Sequence, residues 1–284
     1  MHESSLTLVH ISDLHFTCQS AFFVEKIKTG NFFSKRNLGW YNYRFRRKRH
    51  FLSETKTRLF KKLKEIHWDY LIITGDLTTL SLIEEFQEAK GQIMSLASHD
   101  KILLTAGNHD RYVQDASNYI SDVFKDYWPY LRSNKNSIPV NFLEIGTNTV
   151  IVEFDMAVPR AFYSSRGKLK SDLDYIKKRL RDDYKNHIKI AIGHYPAFLP
   201  PNVREGFFHS LAEKEAFKQF LLDNNFSLYL HGHIHKSWGF KPSEEKDLVC
   251  INSGGCCRHL TGQEAGFHKI ILDRGITSIE RILL

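Results

Sequence analysis

Short, mostly apolar runs of three to six residues recur along the chain and alternate with stretches of helical periodicity. Apolar runs of this length are typical of strands that are buried on both faces of a sheet. They predict six strands, at Leu6–Ile11, Tyr70–Thr74, Ile102–Ala106, Val150–Phe154, Ile188–Ile192 and Leu228–Leu230. Three later segments have only strand-like patterning, at Leu248–Ile251, Phe267–Leu272 and Thr277–Leu283.

Serine residues precede three stretches in which apolar side chains recur at helical spacing. Ser81 with Glu84, and Ser210 with Glu213, have the spacing of a capping box at a helix N-terminus, and Ser171 opens the third stretch. The predicted buried faces are Leu82, Phe86, Ala89, Ile93 and Leu96; Phe217, Phe220 and Leu221; and Leu173, Ile176 and Leu180. Strands alternating with helices predict an α/β protein, to which the C-terminal segments add a β-rich part.

Polar clusters that contain His, Asp or Asn follow five of the predicted strands. Ligands in open α/β sheets gather at the carboxyl ends of strands, so we expect these clusters to meet in one crevice. In four of them a glycine precedes the donor residue, which we expect to allow a sharp turn. The clusters contribute Asp13 and His15; Asp76; Asn108, His109 and Asp110; His194; and His233 and His235.

Seven of these residues form a donor set of two aspartates, four histidines and one asparagine, without sulfur. Such a set suits divalent manganese, iron or zinc. One carboxylate shared between two ions leaves three further ligands for each, so we expect a dinuclear centre whose bridging hydroxide attacks a phosphoester. His109 would then assist the leaving group, while Asp110 would orient its ring or support the metal ligands.

Taken in order, the clusters resemble all five sequence blocks of the calcineurin-like metallophosphoesterase family, between residues 6 and 260. The blocks are Asp13-x-His15, Gly75-Asp76, Gly107-Asn108-His109-Asp110, Gly193-His194 and Gly232-His233-x-His235. The resemblance implies a four-layer αββα sandwich with His109 as the catalytic histidine. It also implies that Asp13, His15, Asp76 and His235 bind one metal, and that Asp76, Asn108, His194 and His233 bind the other.

Within that family the sequence is similar to the bacterial phosphodiesterase branch, which includes class III cyclic-nucleotide phosphodiesterases and UDP-diacylglucosamine hydrolases. Protein Ser/Thr phosphatases have Glu after the catalytic histidine, where Asp110 stands here, and Gly167-Lys168-Leu169 also fits the bacterial branch. Asn252-Ser253-Gly254-Gly255 departs from the family's usual Asn-Pro-Gly-Ser turn. We expect a phosphodiesterase or pyrophosphatase that acts on a lipid-linked or nucleotide substrate. A cyclic-nucleotide phosphodiesterase, a nuclease and a non-catalytic metal-binding scaffold are the alternatives.

The composition fits this class of protein. The chain has 284 residues, of which 42% are hydrophobic and 25% charged, which excludes disorder, a collagen-like fibre and a disulfide-stapled miniprotein. No run approaches the roughly 18 apolar residues of a membrane-spanning helix, and the start lacks the features of a signal peptide. Four cysteines without a CxxC pair indicate reduced thiols. We therefore expect a single cytoplasmic domain over residues 1–284.

The net charge of +8 is concentrated in one segment. Between Lys26 and Lys64 there are fourteen Lys and Arg and one acid, Glu54, a net charge of +13, which leaves the rest of the chain at −5. At about 20–52 this segment forms an insertion in which aromatic residues alternate with cations. It has three interpretations: contact with an anionic membrane or a lipid-bearing substrate, a lid over the active site, and nucleic-acid binding. We favour the first, which would place the protein peripherally at the inner face of the membrane.

Arginines near the clusters are candidates for binding the substrate phosphate, because guanidinium groups pair well with phosphate oxygens. The alternative is an ordinary solvated surface arginine. These candidates are Arg111, Arg160, Arg166 and Arg258. Tyr195, which follows His194, either lines the pocket or packs in the core.

Overall fold

Two β-sheets packed face to face, with helices on both outer sides, form the architecture of the computed structural model. It describes residues 5–18, 34–47, 53–130, 141–161, 163–258, 263–273 and 275–284. From edge to edge, the first sheet contains β11 (Ile276–Leu283), β10 (Gly266–Leu272), β1 (Leu6–Ile11), β2 (Tyr70–Thr74) and β3 (Ile102–Thr105). The second contains β4 (Asn141–Ile145), β5 (Thr149–Glu153), β6 (Ile188–Ile192), β7 (Leu228–His231), β9 (Val249–Ser253) and β8 (Ser237–Phe240).

Six α-helices lie in the described part of the chain. They are α1 (Lys35–Asn42), α2 (Ser53–Glu65), α3 (Ile83–Met94), α4 (Tyr119–Val123), α5 (Leu173–Asp182) and α6 (Lys214–Asp223). A π-helical turn, Tyr43–Arg47, continues α1, and short 3-10 turns occupy His99–Lys101 and Gln114–Ala116.

Alternate side chains of the central strands enter different layers of the core. Leu8 and Ile72 face the second sheet and pack in one cluster with Ile151 and Ile190. The residues on either side of these two face outward, toward the helices that cover the first sheet. Val9, Leu71 and Ile73 pack there with Leu59, Leu63, Phe86 and Ile93. On the other side Ile176 and Leu180 of α5, with Phe217 and Leu221 of α6, cover the second sheet. The prediction of an αββα sandwich is confirmed.

The C-terminal part is β-rich, as predicted, but its strands complete the two sheets and do not form an added part. β10 pairs with β1 antiparallel, with Leu8 opposite Ile270, and β11 pairs with β10. In the second sheet β9 pairs parallel with β7 and antiparallel with β8. The patterning missed two strands, β4 and β8, because their residues are only partly buried and lack a continuous apolar run.

The predicted helix caps are also wrong in detail. The N-cap of α3 is Leu82, and the carboxylate of Glu85 accepts from the backbone N–H groups of Leu80 and Leu82. Ser81 instead donates its hydroxyl hydrogen to the carbonyl of His109. The N-cap of α6 is Glu213, without a side-chain cap bond, and that of α5 is Asp172, whose carboxylate accepts from two backbone N–H groups. For Ser81, a hydrogen bond to a distant residue thus replaces the cap that the local pattern predicts.

Helix α1 and the π-helical turn after it form the described part of the predicted basic insertion, of which residues 20–33 and 48–52 lie outside the described residues. A buried arginine, Arg36, fixes this helix to the body of the protein. Its Nε and Nη2 donate to the carbonyl oxygens of Leu80 and Ser81, each at 3.0 Å, and its Nη1 is 3.2 Å from a carboxylate oxygen of Asp115. Because carbonyls and a carboxylate compensate the buried guanidinium, α1 is held firmly against the loop that follows β2.

A buried carboxyl group between the sheets makes stability depend on pH. Glu153 accepts from Thr105 Oγ1 at 2.6 Å and from Asn141 Nδ2 at 3.1 Å, and burial with the charge of Asp155 raises its pKa to about 7. Its pKa is 4.5 when exposed, so folding favours the protonated form. The stability it contributes is full below pH 4.5 and is lost as the pH rises through about 7. We expect Glu153→Gln, neutral at every pH, to become more stable relative to wild type as the pH rises from 5 to 8.

Urea unfolding at both pH values measures this difference. The matched control is Glu65→Gln, on the surface of α2, where the side chain of Glu65 is 49% exposed. An equal loss of unfolding free energy between pH 5 and pH 8 in wild type and Glu153→Gln would contradict the prediction.

Candidate metal centre

The polar residues that follow β1, β2, β3, β6 and β7 converge where the carboxyl ends of these strands meet. One group contains Asp13, His15, Asp76 and His235, whose potential ligand atoms all lie within 4.8 Å of one another. His235 Nε2 is 3.2 Å from Asp13 Oδ1 and 3.0 Å from His15 Nε2. Residues far apart in sequence therefore meet at one point.

A second group of donors lies beside the first. His194 Nε2 is 3.4 Å from Asp76 Oδ1 and 3.2 Å from Asn108 Oδ1. His233 Nδ1 is 2.8 Å from the same oxygen of Asn108. Asp76 is close to both groups, which is the position that a shared ligand requires.

Backbone carbonyl groups set the tautomers of three of these histidines. His15 Nδ1 is 3.2 Å from the carbonyl of Thr78, His194 Nδ1 is 2.7 Å from that of Thr74, and His233 Nε2 is 2.8 Å from that of His209. A carbonyl oxygen can only accept a hydrogen bond, so the nitrogen facing it carries the proton. The other ring nitrogen of each histidine faces the donor group, which is where a metal-binding histidine presents its lone pair.

The donor set fits divalent cations. His194 Nε2 faces two oxygen atoms that can ligate a cation, Asp76 Oδ1 and Asn108 Oδ1. Asp13 Oδ1 is buried and has no hydrogen-bond partner among the described residues, although His235 Nε2 lies nearby. Acceptors that face one another repel, and a cation between them removes that repulsion. Oxygen and nitrogen donors without sulfur suit manganese, iron or zinc.

Strained backbone positions the ligands. Asp13, His15, Asp76 and His233 have φ values of 56°, 47°, 53° and 71°, in the left-handed region that non-glycine residues rarely adopt. Such strain, of order 1–3 kcal/mol per residue, concentrates at functional sites, where the surrounding structure enforces it.

The glycines that precede the donors serve two purposes. Gly75, with a φ of 89°, makes the sharp turn expected from the sequence. Gly107 and Gly232 are needed for close approach instead, because a Cβ at Gly107 would overlap Asp76 and one at Gly232 would overlap Ser12.

The pKa values of the two neighbouring aspartates, Asp76 and Asp110, are shifted in opposite directions. Burial alone would raise the pKa of Asp76, but His194, His109 and His15 hold it well below its usual range, so the carboxylate stays ionised. Burial, together with the charge of Asp76, raises the pKa of Asp110 to about 7. Asp110 accepts from Thr78 N, Thr78 Oγ1 and Gly107 N, and thus ties together the loops after β2 and β3.

His109 lies at the edge of the donor groups and is held on several sides. Its backbone N–H donates to Asp76 Oδ1 at 2.7 Å, and its Nδ1 is 2.7 Å from the carbonyl of Thr79. Its ring stacks on that of Tyr112, with the centroids 5.1 Å apart and the planes 8° apart. The carbonyl of Thr79 thus orients the ring, a role that the sequence suggested for Asp110.

A crevice of about 490 Å³ opens over the donor groups, a size that suits a small organic ligand. His109 and Tyr112 line one part of it, and Lys35 and Gly39 of α1 line the wall beside them. Further lining residues come from the metal groups and from two loops: Asp76, Asn108, His233, His235, Tyr163, Ser164, Ser165, Arg204, Glu205, Gly206, His209 and Arg258.

The structure places the five predicted substrate-binding residues in different surroundings. Arg258 lines the crevice and donates to the carbonyl of His235. Arg111 is buried and contacts both carboxylate oxygens of Asp155 at 2.7 Å, so its guanidinium is engaged away from the crevice.

The other three predicted substrate-binding residues contact groups outside the crevice. Arg160 Nε donates to the carbonyl of Arg166, and the Arg166 guanidinium lies 3.9 Å from the ring centroid of Phe207. Tyr195 is fully buried, with its ring 4.4 Å from that of His233, and therefore packs behind a ligand. In this geometry Arg111, Arg160, Arg166 and Tyr195 support the site from outside the crevice.

Three residues that line the crevice were not predicted from the sequence to belong to the site. Lys35 was one cation in a basic run, and Tyr112 stands three residues after His109 without a motif of its own. Glu205 Oε1 lies 3.5 Å from His233 Nε2, and Glu205 forms an ion pair with Lys214 at 3.0 Å. Nothing in the residue pattern around Glu205 indicates this position; only the folded loop brings it there.

The two packed sheets and the crevice of oxygen and nitrogen donors are the features of a metallophosphoesterase fold. The chain belongs to the calcineurin-like phosphoesterase family, whose family model matches residues 6–237. This is a family of dimetal enzymes, and Asp13, His15, Asp76 and His235 are a candidate metal-binding group in this member. No curated protein matches the chain in sequence.

Solved structures share the fold at low sequence identity. A purple acid phosphatase from yellow lupin (Lupinus luteus) seeds has a TM-score of 0.57 and 13% identity over 96% of this chain and 50% of its own. The chain thus spans half the length of that enzyme. A dimetal phosphatase from Danio rerio has a TM-score of 0.55 and 13% identity over 98% of both chains. The structure of PhoD has a TM-score of 0.59 and 8% identity over 99% of this chain and 69% of its own.

Proposed function

We propose that this protein is a phosphodiesterase or pyrophosphatase with a dinuclear metal centre. The observation that carries the proposal is that two groups of oxygen and nitrogen donors share Asp76, and that His109 lies next to both. In this assignment Asp13, His15, Asp76 and His235 hold one ion, and Asp76, Asn108, His194 and His233 hold the other. When bound, the two ions supply positive charge for the phosphoryl oxygens and an activated water.

The protein's own groups prepare the crevice for this reaction. The carbonyls of Thr74, Thr78 and His209 fix the ligand tautomers before a metal arrives. Thr79 holds the proton on His109 Nδ1, which leaves Nε2 to exchange a proton with the substrate. The carboxylate of Asp76, which accepts from the His109 backbone, stabilises the protonated ring that general acid catalysis requires. Manganese is our first choice of metal, with iron or zinc as alternatives.

A substrate panel on manganese-loaded protein tests the proposal. The panel contains bis-p-nitrophenyl phosphate, cyclic AMP, UDP-diacylglucosamine and single-stranded DNA, with chelator-treated protein as the control. We expect metal-dependent hydrolysis of bis-p-nitrophenyl phosphate, and the rates on the other three identify the natural class. No hydrolysis of any of them would favour the non-catalytic scaffold.

A second proposal concerns the surface around the crevice mouth. Large apolar side chains are exposed on α1, on the turn after it, and on the two loops of the crevice rim: Leu38, Tyr41, Phe45, Tyr163, Phe207 and Phe208. Within the described residues, no helix has the length and hydrophobicity needed to cross a membrane. Exposed aromatic residues among cations suit the headgroup level of an anionic membrane, or the acyl chains of a lipid substrate. We propose that the insertion is part of one domain that meets such a surface at the cytoplasmic side.

Liposome sedimentation tests this second proposal. In α1 and the turn after it, Tyr41 and Phe45 are 57% and 67% exposed, so replacing both with serine removes apolar contact area without disturbing the core. We expect this variant to bind phosphatidylglycerol vesicles several-fold more weakly than wild type. Met94→Ser, at a 59% exposed position at the end of α3, is the control. Equal binding by all three proteins rejects the membrane proposal.

A further inference from the structure

Helix α1 brings a cation from the insertion into the wall of the crevice. Lys35 lines the crevice, and its Nζ donates to the carbonyl oxygens of Arg160 at 3.2 Å and Ser164 at 3.1 Å. An ammonium group has three N–H donors, and these carbonyls use two of them. Among the described residues, no carboxylate forms an ion pair with Lys35. Its charge is therefore partly desolvated and not neutralised.

The position of Lys35 relates it directly to His109. Its Nζ lies 4.5 Å from the ring centroid of Tyr112, and Tyr112 stacks on His109. The three side chains form a row along one wall, with the metal ligands at the far end. Under the proposed function His109 assists the departing oxygen, so Lys35 stands on the side from which the leaving group departs.

The wall that carries Lys35 is rigid and closely fitted. Arg36, the next residue, anchors α1 to the carbonyls of Leu80 and Ser81. One turn further on, a Cβ at Gly39 would lie only 2.7 Å from the hydroxyl oxygen of Tyr112, so glycine permits the helix to touch that ring. A long flexible side chain on a fixed helix can reach an anion with little reordering of the backbone.

We propose that Lys35 is a specificity-determining residue that binds an anionic oxygen on the leaving group of the substrate, such as the second phosphate of a pyrophosphate ester. The inference rests on the proposed function, because His109 defines the leaving-group side. An ammonium is a suitable point charge for phosphate. Burial lowers the pKa of Lys35 to about 8, and a bound anion would offset the same desolvation.

A purely structural role for Lys35 is the competing explanation, since it also ties the segment around Arg160 and Ser164 to α1. The two roles differ in what they do to ligands with one and with two phosphates. A structural role affects both ligands equally, whereas an anion-binding role affects the second phosphate alone.

Calorimetric titration of manganese-loaded protein with ADP and with AMP, in excess manganese, separates the roles. We expect wild type to bind ADP more tightly than AMP, and Lys35→Met to weaken ADP binding roughly 10–100-fold, as expected for a charge-assisted contact, with AMP binding changed less than about threefold. Lys35→Arg should retain most of the preference for ADP. Lys61→Met, on the exposed surface of α2, is the matched control and should match wild type.

Two results would overturn the inference: a wild-type protein that binds AMP and ADP equally, or a Lys35→Met protein that loses affinity for both to the same degree. Thermal unfolding of each variant shows whether the fold is retained. Bis-p-nitrophenyl phosphate hydrolysis, measured in parallel, reports on the proposed function separately. Its leaving group carries no second phosphate, so its hydrolysis by wild type and by Lys61→Met tests the metal centre whatever the role of Lys35.

Discussion

Replacing Asp76 with asparagine is expected to remove both metal ions and abolish hydrolysis. Asp76 lies within the group formed by Asp13, His15 and His235, and its Oδ1 also faces His194. A neutral amide there would leave both groups without the ionised carboxylate that the surrounding histidines stabilise. The loss should exceed the roughly 10–100-fold effect of changing a residue behind the ligands. Elemental analysis after dialysis counts the retained ions, and bis-p-nitrophenyl phosphate measures the activity.

Asp13→Asn is the matched control for this experiment. Asp13 is buried like Asp76 and has a similarly strained backbone, but it lies in one donor group rather than two. We expect this variant to keep about one ion per chain, from the group that contains His194 and His233. An Asp76→Asn protein that retains two ions, or one that matches Asp13→Asn, would show that Asp76 is not shared.

Replacing His109 with alanine should lower kcat by roughly 10²–10⁴ while both ions stay bound, because general acid catalysis contributes that much. His109 Nδ1 is held by the carbonyl of Thr79, and the ring lies outside both ligand groups. Steady-state kinetics on two phosphodiesters, one with a p-nitrophenolate and one with an alkoxide leaving group, measures the effect. The alkoxide needs a proton more, so its hydrolysis should suffer the larger loss.

The control for this variant is His99→Ala, which changes an exposed histidine before β3 and should have wild-type kinetics. If His109→Ala loses metal and activity together, His109 acts as a ligand or a scaffold. If the loss is the same for both leaving groups, His109 does not donate a proton in the rate-limiting step.

The strands and the residues at their ends could be predicted from the sequence because both obey local rules. β1, β2 and β6 are buried on both faces, which requires the nearly continuous apolar runs that mark them in the sequence. Parallel strands then deliver their following residues to one edge, so the polar clusters meet as expected.

The remaining features depend on contacts between distant parts of the chain. Ser81 looks like a helix cap but bonds to His109, and Arg111 looks available for phosphate but is held by Asp155. Carbonyl groups contact the histidine rings, and they leave no trace in residue identity, because every residue carries one. In the sequence, nothing distinguishes Lys35 from its basic neighbours. Only the packing of α1 beside Tyr112 gives it a place in the crevice.

The meeting of His15 and His235 joins residues that are 220 positions apart in the chain. β1, which leads into His15, is also completed on one side by β10, near the opposite end of the sequence. A cation bound there would join two distant parts of the chain, and because the donors meet only after folding, it would stabilise the folded state. These two donors meet only when the strands on which they depend have paired. Metal binding at this group therefore reports that both sheets have folded.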